Sequence, residues 1–319
     1  MSSAVRHVVP EETTAATPAI AKKQSVFSDY MQLFKVRVTS LIVMTAWTGY
    51  YMGSAKSGVS SVSAGLFHAL LGIGLTSAGA AALNEAFEHN VDARMRRTRN
   101  RPIPAHRMRL AEGFAAGALA TIAGPLYLAY TTNVLTAVLA FATAVTYLAL
   151  YTPLKKISPI ATLVGAFPGA MPPLLGWTAI RGKVEIEALV LFTIVFIWQF
   201  PHFQAIAWMY RDDYEAGGIK MLPVVDKEGR SVVRQMLSYS SALIPVSLLP
   251  AGLQMSGKVY LIGALLLGIA FLYFSYRLAR TKLPTTAPES RKFARRLLQA
   301  SILYLPLLFA LMMINVLRS

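Results

Sequence analysis

The chain has 319 residues, of which 55% are hydrophobic and 14% charged, and its mean hydropathy of +0.49 excludes an ordinary soluble globular protein in favour of a polytopic membrane protein. It contains no cysteine, which excludes disulfides, thiolate nucleophiles and zinc or iron–sulfur sites held by Cys. A net charge of +16 would suggest nucleic acid in a soluble protein, so the distribution of that charge has to be tested against membrane topology first.

Residues 1–30 lack the charged, apolar and small-residue regions of a signal peptide, and are expected to form a flexible cytoplasmic tail. Glu11 and Glu12 argue against a transit peptide, which is Arg-rich and poor in acids. Residues 31–319 read as a single transmembrane domain. A bilayer core needs about 20 mainly apolar residues per helix. Nine stretches qualify, at roughly 37–54, 64–87, 110–131, 133–152, 160–180, 186–208, 237–255, 259–277 and 297–317. The third and fourth are joined only by "TTN", which requires a tight antiparallel helical hairpin. The expected fold is therefore all-α, with about nine transmembrane helices.

With the N-terminus placed inside, the cytoplasmic connections and tail hold 26 Lys and Arg residues and the opposite side 5. This asymmetry follows the positive-inside rule and absorbs most of the basic charge, so no nucleic-acid partner is needed. Three of the four inner connections are also long and carry most of the acids, whereas the outer ones are short. Long polar loops on one face point to chemistry or binding on that face.

The second stretch runs into "LNEAFEHNVDARMRRTRNRPIP". Asn84, Glu88 and Asp92 are spaced i, i+4, i+8, which on an α-helix makes one polar stripe beginning within an apolar span. Two carboxylates and an amide oxygen are hard donors suited to Mg²⁺, which commonly bridges a few carboxylates to substrate phosphates. The competing reading is a simple helix exit with solvated terminal acids. Arg94, Arg96, Arg97, Arg99 and Arg101 follow, either as bidentate phosphate ligands or as topology anchors and anionic-lipid contacts.

Between the fourth and fifth stretches, "YTPLKKISP" presents Tyr151, Lys155 and Lys156, which either bind a diphosphate or mark the membrane interface. The last cluster, "WQFPHFQAIAWMYRDDYEAGGIKMLP", places Gln199 and His202 near the end of the sixth stretch and Asp212 and Asp213 beyond it. On a continuous helix the eleven-residue interval would stack His202 and Asp213 on one face. His202 is either a hydrogen-bonded packing residue or, at membrane depth among aromatics, a functional one.

Acidic stripes beside cations at one end of an apolar bundle suit a lipid with a diphosphate head. The chemistry that fits is ionisation of that head, with an electron-rich acceptor capturing the allylic cation.

"NEAFEHNVD" followed by "RMRRTRNRPIP" resembles the first aspartate-rich motif of the UbiA-type intramembrane prenyltransferases, and "YTPLKK", "GAFPGAMPPLLGWTA", "WQFPHFQAIAW" and "YRDDYEAGGIKMLPVV" extend the likeness from about residue 30 onward. The Pro-Pro and Gly-Trp segment with Pro201, His202 and Phe203 is similar to the haem-modifying, protohaem IX farnesyltransferase branch. That resemblance implies nine helices in two pseudo-repeats of four plus one, around a cavity open to the membrane. It implies transfer of a farnesyl group from farnesyl diphosphate to a vinyl group of haem b, giving haem O for terminal oxidase assembly. Haem b is then substrate rather than prosthetic group, with Mg²⁺ as the cofactor.

Carried over by position, Asn84, Glu88, Asp92, Asp212 and Asp213 would hold metal and diphosphate, and His202 would contact haem. Arg94, Arg97, Arg101, Tyr151, Lys155, Lys156, Gln199 and Arg211 would bind substrate. The implied setting is the bilayer of a bacterial inner membrane rather than a mitochondrial one, with haem A synthase or oxidase assembly proteins as partners. Three departures stand out: Glu88 in place of the usual Asp, Met209 where quinone-prenylating members have a second aspartate, and Ser158–Pro159 where haem-branch members carry Thr and Asn. The alternatives are a prenyltransferase for a quinone-precursor or chlorophyllide ring, and a transporter of an anionic lipid or metabolite. Transport would call for polar groups on both faces, and the outer loops are nearly featureless.

Overall fold

The computed structural model describes residues 25–317. The helices, in chain order, are α1 (Val26–Leu33), α2 (Val36–Lys56), α3 (Ala64–Asp92), α4 (Leu110–Thr131) and α5 (Val134–Val145), which passes through a π-helical turn (Thr146–Tyr151) into α6 (Thr152–Leu154). They continue with α7 (Ala161–Arg181), α8 (Ile186–Met209), α9 (Arg211–Ala216), α10 (Leu222–Val225), α11 (Arg230–Gly252), α12 (Lys258–Ala279) and α13 (Arg291–Ile314). Among the described residues there is no sheet, only an isolated bridge between Ser256 and Val316.

Eight of these helices, counting α5 through α6 as one, are long and apolar enough to cross a membrane. The remaining anticipated stretch is α2, a helix of 21 residues. The expected boundaries shift at several ends: α3 continues to Asp92, α11 begins at Arg230 and α13 at Arg291. The anticipated tail overlaps α1 from Val26, where Ser25 caps the helix by accepting from the Ser28 amide; residues 1–24 lie outside the described residues. Asn133 likewise caps α5 by accepting from the Thr136 amide at 2.9 Å, which closes the short α4–α5 hairpin.

Small residues set the packing, because between membrane helices close backbone approach replaces hydrophobic drive. On α3 and α4, Gly72, Gly79, Gly117 and Gly124 bring the two helices together; a Cβ at Gly79 would lie 2.4 Å from the Thr121 amide. On α2 and α7, Gly49 meets the Pro173 carbonyl and Gly176 the Ala46 carbonyl, each leaving only 1.8 Å to an added Cβ. This seam joins two groups, α2 to α5 on one side and α7, α8, α11 and α12 on the other, with α13 packed on α8, α12 and α2. The largest buried cluster lies in the second group, around Leu191, Ile194, Phe271 and Tyr304.

Candidate active site

A cavity of about 440 Å³ lies between α2, α3, α5–α6, α7 and α8. Its lower walls are apolar, with Ile42, Ile73, Ala140, Pro172 and Leu175; its other end carries Lys35, Asn84, Glu88, Asp92, Arg97, Arg101 and Lys155. The stripe read from the sequence lies on one unbroken helix, and its three members are nearly inaccessible: Asn84 3%, Glu88 3% and Asp92 1% exposed.

Each acid of the stripe already faces a cation. Lys155 Nζ donates to Glu88 Oε2, and Arg101 Nη1 donates to Asp92 Oδ2 at 2.6 Å. Asn84 accepts from Lys35 Nζ at 3.1 Å and donates to Glu88 Oε2 at 3.0 Å and Thr152 Oγ1 at 3.1 Å. Glu88 Oε1 is buried with no hydrogen-bond partner. A buried carboxylate oxygen at a cavity wall without a donor is an acceptor that a cation satisfies, so Asn84, Glu88 and Asp92 fit a hard divalent metal whose shell is completed by substrate oxygens.

Local backbone features aim these groups. Lys35 sits between α1 and α2 with φ of 45°, a left-handed conformation rare for lysine and of the strained kind found at functional sites. Burial, then the nearby Arg101 and Lys155 charges, lower its ammonium from 10.5 to about 8. The π-helical turn in α5 is hydrogen-bonded by Thr152 Oγ1 to the Tyr147 carbonyl, 2.9 Å and five residues back, and Tyr147, Tyr151 and Lys155 all face the cavity. Two glycines of α7 make room: a Cβ at Gly165 would fall 2.6 Å from the Tyr151 ring, and one at Gly169 2.0 Å from Gln199 Oε1. Gln199 is held by donating to the Ala166 and Val195 carbonyls, both at 3.1 Å.

Two polar connections close this end. Arg97 lies over the rings of Tyr210 and Tyr214, at 4.8 and 5.3 Å, and donates to Tyr214 Oη at 3.0 Å. The Lys220 amide donates to the Lys155 carbonyl at 2.8 Å, tying the segment after α9 to the one after α6.

The second set of acids does not join the first. The continuous helix anticipated from His202 to Asp213 is broken at Tyr210 (φ −108°, ψ 26°), so their shared face is lost. Asp212 points to Arg291, 2.5 Å, and Arg211, 3.2 Å, while Asp213 accepts from Arg96 at 3.3 Å. For Asp212, partial burial opposes ionisation, but Arg291 and Arg211 outweigh it and hold the carboxyl below its usual range. Neither aspartate lines the cavity. Among the described residues no three His, Asp or Glu side chains are grouped to hold a metal ion; of the five residues expected to hold metal, Asn84, Glu88 and Asp92 line the cavity and Asp212 and Asp213 do not. Arg94, Lys156 and Arg211 also lie off the cavity wall.

His202 turns to α13: its Nδ1 is 2.7 Å from Ser301 Oγ, and its ring stacks on Trp198 at 4.6 Å. It is absent from the cavity wall, to which the same helix contributes Gln199, Phe203 and Ile206. In contrast, Lys35, Tyr147, Thr152 and Tyr214 are brought to the site without having been singled out in the sequence.

Known proteins agree with this architecture. The model of the UbiA prenyltransferase family matches residues 42–314. The curated protoheme IX farnesyltransferase of Koribacter versatilis is 53% identical, covering 96% of this chain and 98% of its own. That of Solibacter usitatus is 44% identical, covering 90% and 98%. A solved structure of a digeranylgeranylglyceryl phosphate synthase superposes with a TM-score of 0.73 at 17% identity, covering 91% of this chain and 98% of its own. A UbiA homologue from Archaeoglobus fulgidus, bound to GPP and Mg²⁺, gives 0.58 at 15% identity, covering 89% and 99%. From the family match over most of its length and the extent of these relatives, the chain belongs to the UbiA prenyltransferase family.

Proposed function

We infer that this protein transfers the farnesyl group of farnesyl diphosphate to a vinyl group of haem b, releasing diphosphate and, with water added, giving haem O. The observation that carries it is the cavity itself, apolar along its length and closed at one end by oxygen donors and cations, in a chain 53% identical to a curated protoheme IX farnesyltransferase. Asn84, Glu88 and Asp92 would hold Mg²⁺, which supplies neutralisation of the charge building on the leaving diphosphate. The bound GPP and Mg²⁺ of the Archaeoglobus fulgidus homologue support a divalent metal with a prenyl diphosphate in this fold.

The chain's own groups do the rest. Lys35, Arg97, Arg101 and Lys155 line the polar end and would take the diphosphate oxygens as the C1–O bond breaks. The tail would lie along Ile42, Ile73, Ala140 and Leu175, and the haem vinyl would be the nucleophile that captures the allylic cation and forms the new C–C bond. Water then captures the cation left on the vinyl carbon and gives up a proton. The concentration of basic residues in the loops at the polar end supports a site on the cytoplasmic face of an inner membrane.

Membranes carrying the protein, supplied with haem b, farnesyl diphosphate and Mg²⁺, are expected to form a more hydrophobic haem of the corresponding mass by chromatography and mass spectrometry. A folded protein that forms none beside a working control would remove the haem reading. Prenylation of an aromatic acid instead would keep the site and change the acceptor.

A further inference from the structure

Glu85 follows Asn84 on α3 but is not part of the cavity wall. It is 0% exposed, and neither carboxylate oxygen has a hydrogen-bond partner. The Ile103 backbone amide is the one polar group of the main chain that acts on it, and Arg101 Nε stands 4.0 Å from Oε2. A buried carboxylate this poorly paired is costly, and a full ion pair with a neighbouring cation would offset that cost.

Arg101 is the cation best placed to provide that compensation. It lines the cavity, with Nη1 committed to Asp92 Oδ2 at 2.6 Å and Nε turned to Glu85. Asp92 belongs to the metal stripe, so a bound divalent cation competes with Arg101 for that oxygen. A guanidinium displaced from Asp92 needs only a small movement to bond Glu85, and it then keeps its remaining donors towards the cavity.

We propose that Glu85 is a positioning residue: the carboxylate behind the site that takes Arg101 over from Asp92 when a metal diphosphate binds, holding the guanidinium on the phosphate oxygens. This rests on the diphosphate reading above but needs neither haem nor prenyl transfer. It also accounts for a fully buried acid one residue off the stripe.

The test is calorimetric binding of inorganic pyrophosphate with Mg²⁺ to the purified, detergent-solubilised full chain. Glu85→Gln is expected to weaken binding about ten-fold, and Glu85→Asp, which withdraws the carboxylate by one methylene, about three-fold. In an Arg101→Gln background both losses should shrink to less than about two-fold, because the effect passes through the guanidinium. Losses that multiply with that of Arg101→Gln, or affinities that do not change, overturn the proposal. Should the Gln variant fail to fold, the cycle with Glu85→Asp decides. A parent that binds no Mg²⁺–pyrophosphate defeats the diphosphate reading and the proposal together, a result distinct from a parent that binds and variants that match it.

Discussion

α3 and α9 each carry acids beside arginines, and in the sequence they look like two halves of one metal site. In the structure they are unlike. Glu88 and Asp92 are at most 3% exposed and border the cavity, with Glu88 Oε1 still lacking a donor. Asp212 has a side chain 48% exposed and already paired with two arginines outside it. What separates Glu88 from Asp212 is satisfaction: a surface carboxylate with solvent and arginines for partners has little left to offer a ligand, whereas a buried one with a free oxygen beside a cavity is prepared for it.

The largest effect that would break this contrast lies on the cavity stripe. Asp92→Ala should lower farnesyl transfer at least about a hundred-fold while the protein remains in the membrane, as read by product haem against the amount of membrane-bound protein. Near-parental turnover would reduce the stripe to a helix exit. Lys35→Met should raise KM for farnesyl diphosphate about ten-fold.

The same lysine sets a pH limb. Its ammonium, lowered to about 8, is present below that pH and lost above it, so kcat/KM of the parent should fall as pH rises through about 8, and Lys35→Arg should carry the fall to higher pH. A flat profile in the parent would remove Lys35 from the diphosphate site. Gly169→Ala, which forces Gln199 off the cavity wall, should cost roughly ten-fold in kcat/KM with the protein amount unchanged. The smallest effect belongs to α9: Asp212→Asn should leave kcat/KM within about five-fold of the parent. A collapse to the level of Asp92→Ala would restore Asp212 to the metal site.

How much could be read beforehand follows the same division. Asn84, Glu88 and Asp92 were legible because a four-residue spacing on one long helix survives folding unchanged. The span order and the α4–α5 hairpin were legible for a similar local reason, the length of apolar runs and the shortness of "TTN". Asp213 was misplaced because one residue, Tyr210, leaves helical geometry and ends the register on which the inference depended. Lys35 gave no signal, since its place depends on a left-handed backbone between two helices that spacing does not reveal. Glu85 was hidden because a position next to the stripe points off it on an ideal helix; only the fold of residues 93–109 brings Arg101 behind it.

The π-helical turn in α5 acts as a phase shifter. Val134, Val138, Phe141 and Val145 repeat at helical intervals and are 66%, 58%, 49% and 44% exposed, forming one outward seam. An uninterrupted helix would carry that seam on to position 152. Instead the next large outward residue is Leu150, and Thr152 is 5% exposed and bonded to Asn84. The widened turn gains one residue of rotation, so a helix whose first half is dressed for lipid ends dressed for diphosphate. Held to ordinary helical phase with no residue removed, the same sequence would turn Lys155 about 100° away from Glu88, disarming the site with all of its side chains still present.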